Sequence, residues 1–341
     1  MNSSYAALFG VAAALFAAGG TVAAGAQNAV KVEEKVQYLG KPNNIRLSND
    51  TVELILTTDY GPRIMRYALV DSGDAGNVFA TLTSAKPNLH TAYGDWFIYG
   101  GHRLWHAPES VPRSYVPDNE AITYTVDGST VKLSQPVEKQ TQIQKDMWVT
   151  LDPTGSHVTV EHRLTNRGPF ASEMACWALS AMNKGGMAIF PQEPYHSHDE
   201  VVEPARALTL WGYTDLTDPR FFLGKAFITL KQDANATNPQ KIGMLNKQGW
   251  GAYSLGTMLF IKRFKYEPGR SYPDYNANAQ TYTDASFLEL ETLGPLTMVQ
   301  PNQTLSYTEE WWLKKNVNLG TGEAGIAAAM LPIVTETAGG K

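Results

Sequence analysis

His157 to Asn166 reads HVTVEHRLTN. Val158, Val160 and Leu164 fall on one side of a period-two pattern, and Thr159, Glu161 and Arg163 on the other. That alternation specifies a half-buried β-strand, because successive strand side chains point to opposite faces. TVELILTTD from Thr51 repeats the device with Val52, Leu54 and Leu56. TVKLS, MWVTLD, AFITLK, LFIKRFKY and SFLELETL follow in the same style, among turn segments such as DPTG, NRGP, EPG and LGP. Short strands between such turns predict an all-β, mainly antiparallel sandwich. No capped amphipathic helix and no repeat of fixed period interrupts residues 27–316, so one domain is expected there.

The chain has 341 residues, 43% of them hydrophobic and only 18% charged, with 8 Trp and 16 Tyr. This suits a large β core with an aromatic-rich cleft. A net charge of -5 leaves no footprint for nucleic acid, and no basic run would hold a membrane surface. Residues 1–26 are a different material: AALFGVAAALFAA from Ala6, then small residues ending AGA. The pattern is that of a secretory signal peptide cleaved after Ala26, although MNSSY carries no Lys or Arg. An uncleaved N-terminal anchor is the alternative. The expectation is a secreted or periplasmic protein with no stable membrane insertion after cleavage. Residues 317–341 are rich in Gly, Ala and Thr and are expected to be loosely ordered, with at most a short helix over 323–331. Cys176, the only cysteine, lies in MACWALSAM and reads as a buried, inert thiol with no activating His or Asp nearby in sequence.

Tyr99 to Glu109, YGGHRLWHAPE, concentrates chemistry. His102 and His106 are four apart, which puts them on one face of a helix or of a strand. The outer spacing is that of a zinc-protease helix, but Arg103 stands where that chemistry needs Glu, and Pro108 opposes a long helix. YHSHDE at Tyr195–Glu200 offers His196 and His198 as a weaker metal-binding alternative, with Asp199 or Glu200 to add oxygen. Only two ligands are in view there, and no cofactor is expected. Most Trp residues of a β-sandwich are core. Trp96 and Trp105, beside the Gly-Gly turn, are the choices for a sugar-stacking platform. SYPDYNANAQTY from Ser271 is a loop in which Asp274 or Asn276 would line a cleft or simply meet solvent.

Three segments, in order, resemble the galactose-mutarotase-like superfamily. TTDYGPRIMRY at Thr57–Tyr67 is similar to its early strand–turn–strand. HRLTNRGPFASEMACWALS is similar to its central strands, and FLELETLGPLTMVQPNQTLSYTEEWWL to its C-terminal end. The resemblance spans about Val30 to Lys315 and identifies the chain with an uncharacterised bacterial exported branch. It implies a β-supersandwich with a carbohydrate site, and aldose 1-epimerase-type chemistry in which a carboxylate and an acid work on the anomeric centre. Glu291 falls on the Glu of the family's Leu-Glu-Thr motif and would be the base, with Glu289 on the same strand face. Arg63 matches the turn Arg that holds a sugar hydroxyl; a surface ion pair is the alternative. In the family a His precedes the Gly-Gly pair, where this chain has Tyr99. A second family His follows the central turn, on a strand that here reads CWALSAMN. His102 and His106 stand close enough to supply the missing imidazoles.

The expectation is therefore an exported, mutarotase-like carbohydrate-active protein. Glu291, His102 and His106 would be catalytic. Arg63, Tyr99, Arg103, Trp105, Trp96, Glu289 and Asp274 would hold a sugar or oligosaccharide. A non-catalytic carbohydrate-binding module on the same scaffold is the alternative.

Overall fold

The structure, a computed structural model, describes residues 30–70 and 72–339. The expected signal peptide, residues 1–26, lies outside the described residues. Two large sheets, antiparallel throughout, pack face to face. The first runs, in spatial order, Lys31–Tyr38, Lys41–Ser48, Val52–Thr57, Arg63–Leu69, His102–Ala107, Ser172–Met182, Leu288–Leu293, Ala279–Thr283, Gln240–Met244 and Leu208–Leu210. The second runs Thr123–Asp127, Thr130–Ser134, Ile143–Leu151, Val158–Asn166, Thr304–Lys314, Met258–Phe264, Trp250–Leu255, Met187–Pro191, Phe227–Lys231 and Phe221–Leu223. The all-β sandwich expected from the alternating strands is the fold observed.

Val158, Val160 and Leu164 enter the core between the sheets, and His162 falls on the same inward row. Leu54, Leu56, Tyr67 and Phe79 meet Phe260 and Trp311 across it. The central strands of the first sheet are buried on both faces. All six residues of Leu288–Leu293 are covered, with Leu288 and Leu290 in the inter-sheet core and Glu289 and Glu291 on the far side.

The inter-sheet core holds a closed polar network. His162 Nδ1 lies 3.1 Å from the Tyr307 carbonyl, so it must carry a proton. His162 Nε2 then accepts from His102 Nε2 at 2.7 Å, and His102 Nδ1 accepts from the Ser180 hydroxyl at 2.8 Å. Both rings are neutral in this arrangement, and burial holds both below the ordinary imidazole range. Glu309 beside them accepts from Lys262 at 3.0 Å, from the Trp311 indole at 2.9 Å and from the Thr292 hydroxyl. His102, His162 and Glu309 lie close enough together to share an ion. Their lone pairs are already engaged by one another and by Lys262, which makes the cluster a structural ion pair rather than a metal centre.

The C-terminal segment departs from expectation. Gly322–Thr337 is a 16-residue helix on the outer face of the second sheet, not a loose tail. Ile326 and Met330, four apart, pack on Ile189, Phe227, Trp250 and Ile261. The Glu323 carboxylate accepts from the backbone N–H groups of Ala226 at 2.6 Å and Phe227 at 3.1 Å. The Gly/Ala-rich composition concealed an apolar stripe just wide enough to dock.

Glu309→Leu strands the buried Lys262 ammonium and should cost about 3–5 kcal/mol of stability. Adding Lys262→Met should restore most of that loss. Urea unfolding of the single and double variants checks both statements; an undiminished Glu309→Leu protein would exclude the pairing.

Candidate functional site

The sheet register builds a polar floor on the outer face of the first sheet. Leu179 pairs with Arg103 on one side and Glu291 on the other, and Glu291 pairs with Gln280. The next row runs Ala181, Glu289, Tyr282 and Lys241. A third places Trp105 beside Trp177. Above this floor lies a cleft of about 470 Å³ lined by Trp96, Arg103, Trp105, Tyr115, Trp177, Tyr213, Lys241, Tyr282, Asp284 and Glu289, among others.

One wall is aromatic. Trp105 lies against Trp96, Tyr115 and Trp177 with ring centroids 5.0–5.6 Å apart. The Arg103 guanidinium sits 4.6 Å from the Trp105 ring and 5.6 Å from that of Trp96, and it binds Glu289 at 3.0 Å. Such a guanidinium is fixed by ring faces and by charge at once. Arg103 Nε and Nη1 and Trp96 Nε1 are buried with no acceptor. Buried donors of this kind cost free energy until something pairs with them.

Glu291 lies beneath the cleft, fully buried. One carboxylate oxygen accepts from the Trp177 indole at 2.9 Å and from Lys241 at 3.1 Å; the other has no partner. Burial raises its pKa to about 7, with the Glu289 charge adding to the rise and Lys241 opposing it. The Lys241 ammonium is held between the rings of Trp177 at 5.0 Å and Trp211 at 4.7 Å. Burial alone would lower its pKa, but Glu291, Glu289 and Glu109 outweigh that and raise it. Burial also pushes the Tyr213 and Tyr282 phenols up, so both remain hydrogen-bond donors at neutral pH.

Trp96, Arg103, Trp105 and Glu289 thus meet in the cleft, with Glu291 directly below. The two histidines do not join them. Strand parity turns His102 and His106 to the opposite face from Arg103 and Trp105. His102 is spent in the inter-sheet network. His106 is 2% exposed, both its nitrogens are unpartnered, and it borders a separate 210 Å³ hollow with Arg113 and Met174. Burial, then Lys145 and Arg113, lower its pKa well below the ordinary value. The expected common hollow for imidazole and carboxylate is therefore not formed.

Arg63 is also elsewhere. It is fully buried, paired with Asp118 at 2.8 Å, and it donates to the carbonyls of Ile98 at 2.9 Å and Gly100 at 3.0 Å. It braces the turn before the His102–Ala107 strand instead of reaching a ligand. Tyr99 takes a left-handed conformation in that turn, stacks on Tyr60 and donates to Asn119 at 3.0 Å. The Gly-Gly pair has a backbone reason: a Cβ on Gly100 would lie 2.1 Å from the Ala80 carbonyl oxygen. Asp274 is half-buried and reaches the floor only through Gln280, whose amide donates to it at 2.7 Å. His196 and His198 are exposed; His198 lies 3.6 Å from Asp199, and among the described residues they belong to no three-ligand group. Cys176 does face a histidine, since the register sets it opposite His106. Burial nevertheless pushes its pKa up, and it stays a thiol.

Sequence reasoning missed Lys241, Tyr115, Tyr213 and Tyr282. A lysine in a short strand such as QKIGM carries no local signal of burial; only its pairing partner on the next strand reveals it.

Neither a protein-family model nor a curated protein matches the chain. Solved structures do resemble it. A galactose mutarotase-like protein from Lactobacillus casei has a TM-score of 0.50 at 11% identity, covering 80% of this chain and 100% of that one. A galactose mutarotase related enzyme from Lactobacillus acidophilus has a TM-score of 0.52 at 6% identity, covering 80% and 98%. A TPR-domain containing protein from Parabacteroides distasonis has a TM-score of 0.53 at 14% identity over 82% of this chain; the chain spans about half that protein's length, 49%. The chain has the galactose-mutarotase-like fold, as the sequence segments suggested.

A carboxyl whose pKa is raised on folding favours the folded state in its protonated form. The Glu291 contribution is complete below about pH 4.5 and is lost as pH rises through about 7. Glu291→Gln, which mimics the protonated form, should lose less stability than the wild type between about pH 5 and 7.5. Parallel urea midpoints measure the difference; equal slopes would exclude the raised carboxyl.

Proposed function

We propose that this chain is an exported carbohydrate-binding protein whose ligand sits in the cleft above Arg103, Glu289 and Lys241. The observation that carries the reading is the pairing of an aromatic wall with buried, unpartnered donors on Arg103 and Trp96. A pyranose has apolar C–H faces for the rings and hydroxyl oxygens for the donors. Charge supports a neutral ligand. Arg103 and Lys241 are already matched by Glu289 and Glu291, and Glu109 and Asp284 add negative charge at the rim. Nucleic acid fits this field poorly.

A second reading keeps the epimerase chemistry. It is favoured by Glu291, which titrates near neutrality and has one free oxygen. In that reading Glu291 takes the anomeric hydroxyl proton and Lys241 stands nearest to serve the ring oxygen. Binding alone is preferred because the groups around Glu291 are poor proton donors to a sugar. An indole N–H only donates hydrogen bonds, and the Lys241 ammonium is held protonated.

Calorimetry against D-glucose, D-galactose, D-mannose and D-xylose should find a ligand, and Trp105→Ala should weaken it about tenfold or more. Polarimetry of freshly dissolved aldoses should relax at the rate of buffer alone. Acceleration abolished by Glu291→Gln would establish the second reading instead.

A further inference from the structure

Resting on the carbohydrate reading, we infer that the cleft continues over Trp211 to Tyr275, which forms a stacking subsite for a further residue of an oligosaccharide chain. Tyr275 is 92% exposed, the most exposed large side chain among the described hydrophobic residues. It sits in a turn where Asp274, Tyr275 and Asn276 take φ of 51°, 58° and 71° in succession. Three consecutive non-glycine residues in the left-handed region are unfavourable, and such backbone persists where surrounding contacts over-determine it.

Those contacts tie the turn to the cleft floor. Thr209 Oγ1 donates to the Asp274 carbonyl at 2.9 Å, and Gln280 Nε2 to its carboxylate at 2.7 Å. The Asn276 side chain accepts from the Tyr272 N–H at 2.9 Å. Gln280 stands directly opposite Glu291. A Cβ on Gly243 would come 2.9 Å from Ala277 and 3.2 Å from the Trp211 ring, so glycine there lets the turn and the indole close together. Trp211 in turn covers the Lys241 ammonium, and Tyr213, on the same loop, is exposed and lines the cleft. Lys241, Trp211 and the buried Ala277 therefore pack in sequence from the floor toward the turn that carries Tyr275.

A ring held at 92% exposure gains nothing from the core. Covering it with the apolar face of a sugar ring would bury its surface, and the pinned turn removes the entropy of ordering it. A chain of two or three sugar units would reach where a monosaccharide in the cleft would not.

The test is calorimetry of the full protein with D-glucose and D-galactose, and with the di- and trisaccharides of each in α and β linkage. A trisaccharide should bind more tightly than its monosaccharide. Tyr275→Ala should weaken the trisaccharide about tenfold and leave the monosaccharide unchanged, while Tyr275→Phe should retain both. Equal affinity of monosaccharide and oligosaccharides, or a Tyr275→Ala protein indistinguishable from wild type on every sugar, would overturn the subsite and leave the cleft reading standing. Absence of binding by any saccharide would overturn both.

Discussion

On the central strands of the first sheet, every residue that enters the cleft has neighbours that enter the core. Arg103 and Trp105 face the cleft while His102, Leu104 and His106 face the second sheet. Trp177 and Leu179 alternate with Cys176, Ala178 and Ser180, and Glu289 and Glu291 with Leu288, Leu290 and Thr292. Register then decides which of these meet. A shift of one residue would send both carboxylates into the inter-sheet core and bring leucines to the floor. The polar cluster of Ser180, His102, His162, Lys262 and Glu309 makes such a slip costly, since its buried hydrogen bonds and ion pair would be broken by it. The network behind the sheet thereby holds the arrangement in front of it.

Glu291 shows what that arrangement does to chemistry. A carboxyl taken wholly out of water is pushed toward neutrality, and Lys241 recovers part of the lost charge stabilisation. Lys241 itself is tolerated in the interior because two indoles and three carboxylates surround it. Neither group would be stable in its place without the other. Removing one partner of a buried pair leaves the second uncompensated.

The strands, their antiparallel pairing and the superfamily resemblance were legible because alternation and turn residues are local signals. Arg103, Trp105, Trp96 and Glu289, each standing beside a recognisable motif, do line one cleft. What was not legible is direction. His102 and Arg103 are adjacent in sequence, and on a strand covered on both faces hydrophobicity no longer distinguishes one side from the other. Choosing the histidines for their chemistry meant choosing the wrong parity. Arg63 was misread for a related reason. It does sit on the cleft face by register, but the loop carrying Asp118 folds over it and takes its donors. The length and docking of the terminal helix were underestimated because Ile326 and Met330 supply only a narrow stripe among small residues.

The Ser172–Met182 strand carries no His, and the neighbour it presents to Glu291 is Trp177, whose indole decides how the carboxylate behaves. An imidazole beside Glu291 would pass protons in both directions near neutral pH. An indole fixes the same oxygen through a hydrogen bond but keeps its proton. The remaining neighbour, Lys241, is shifted upward and also keeps its proton. A carboxyl poised to accept a proton, with no group beside it ready to return one to a ring oxygen, is poorly equipped to open and reclose a ring. The same features that make Glu291 look catalytic in isolation therefore favour the proposed binding reading over ring opening.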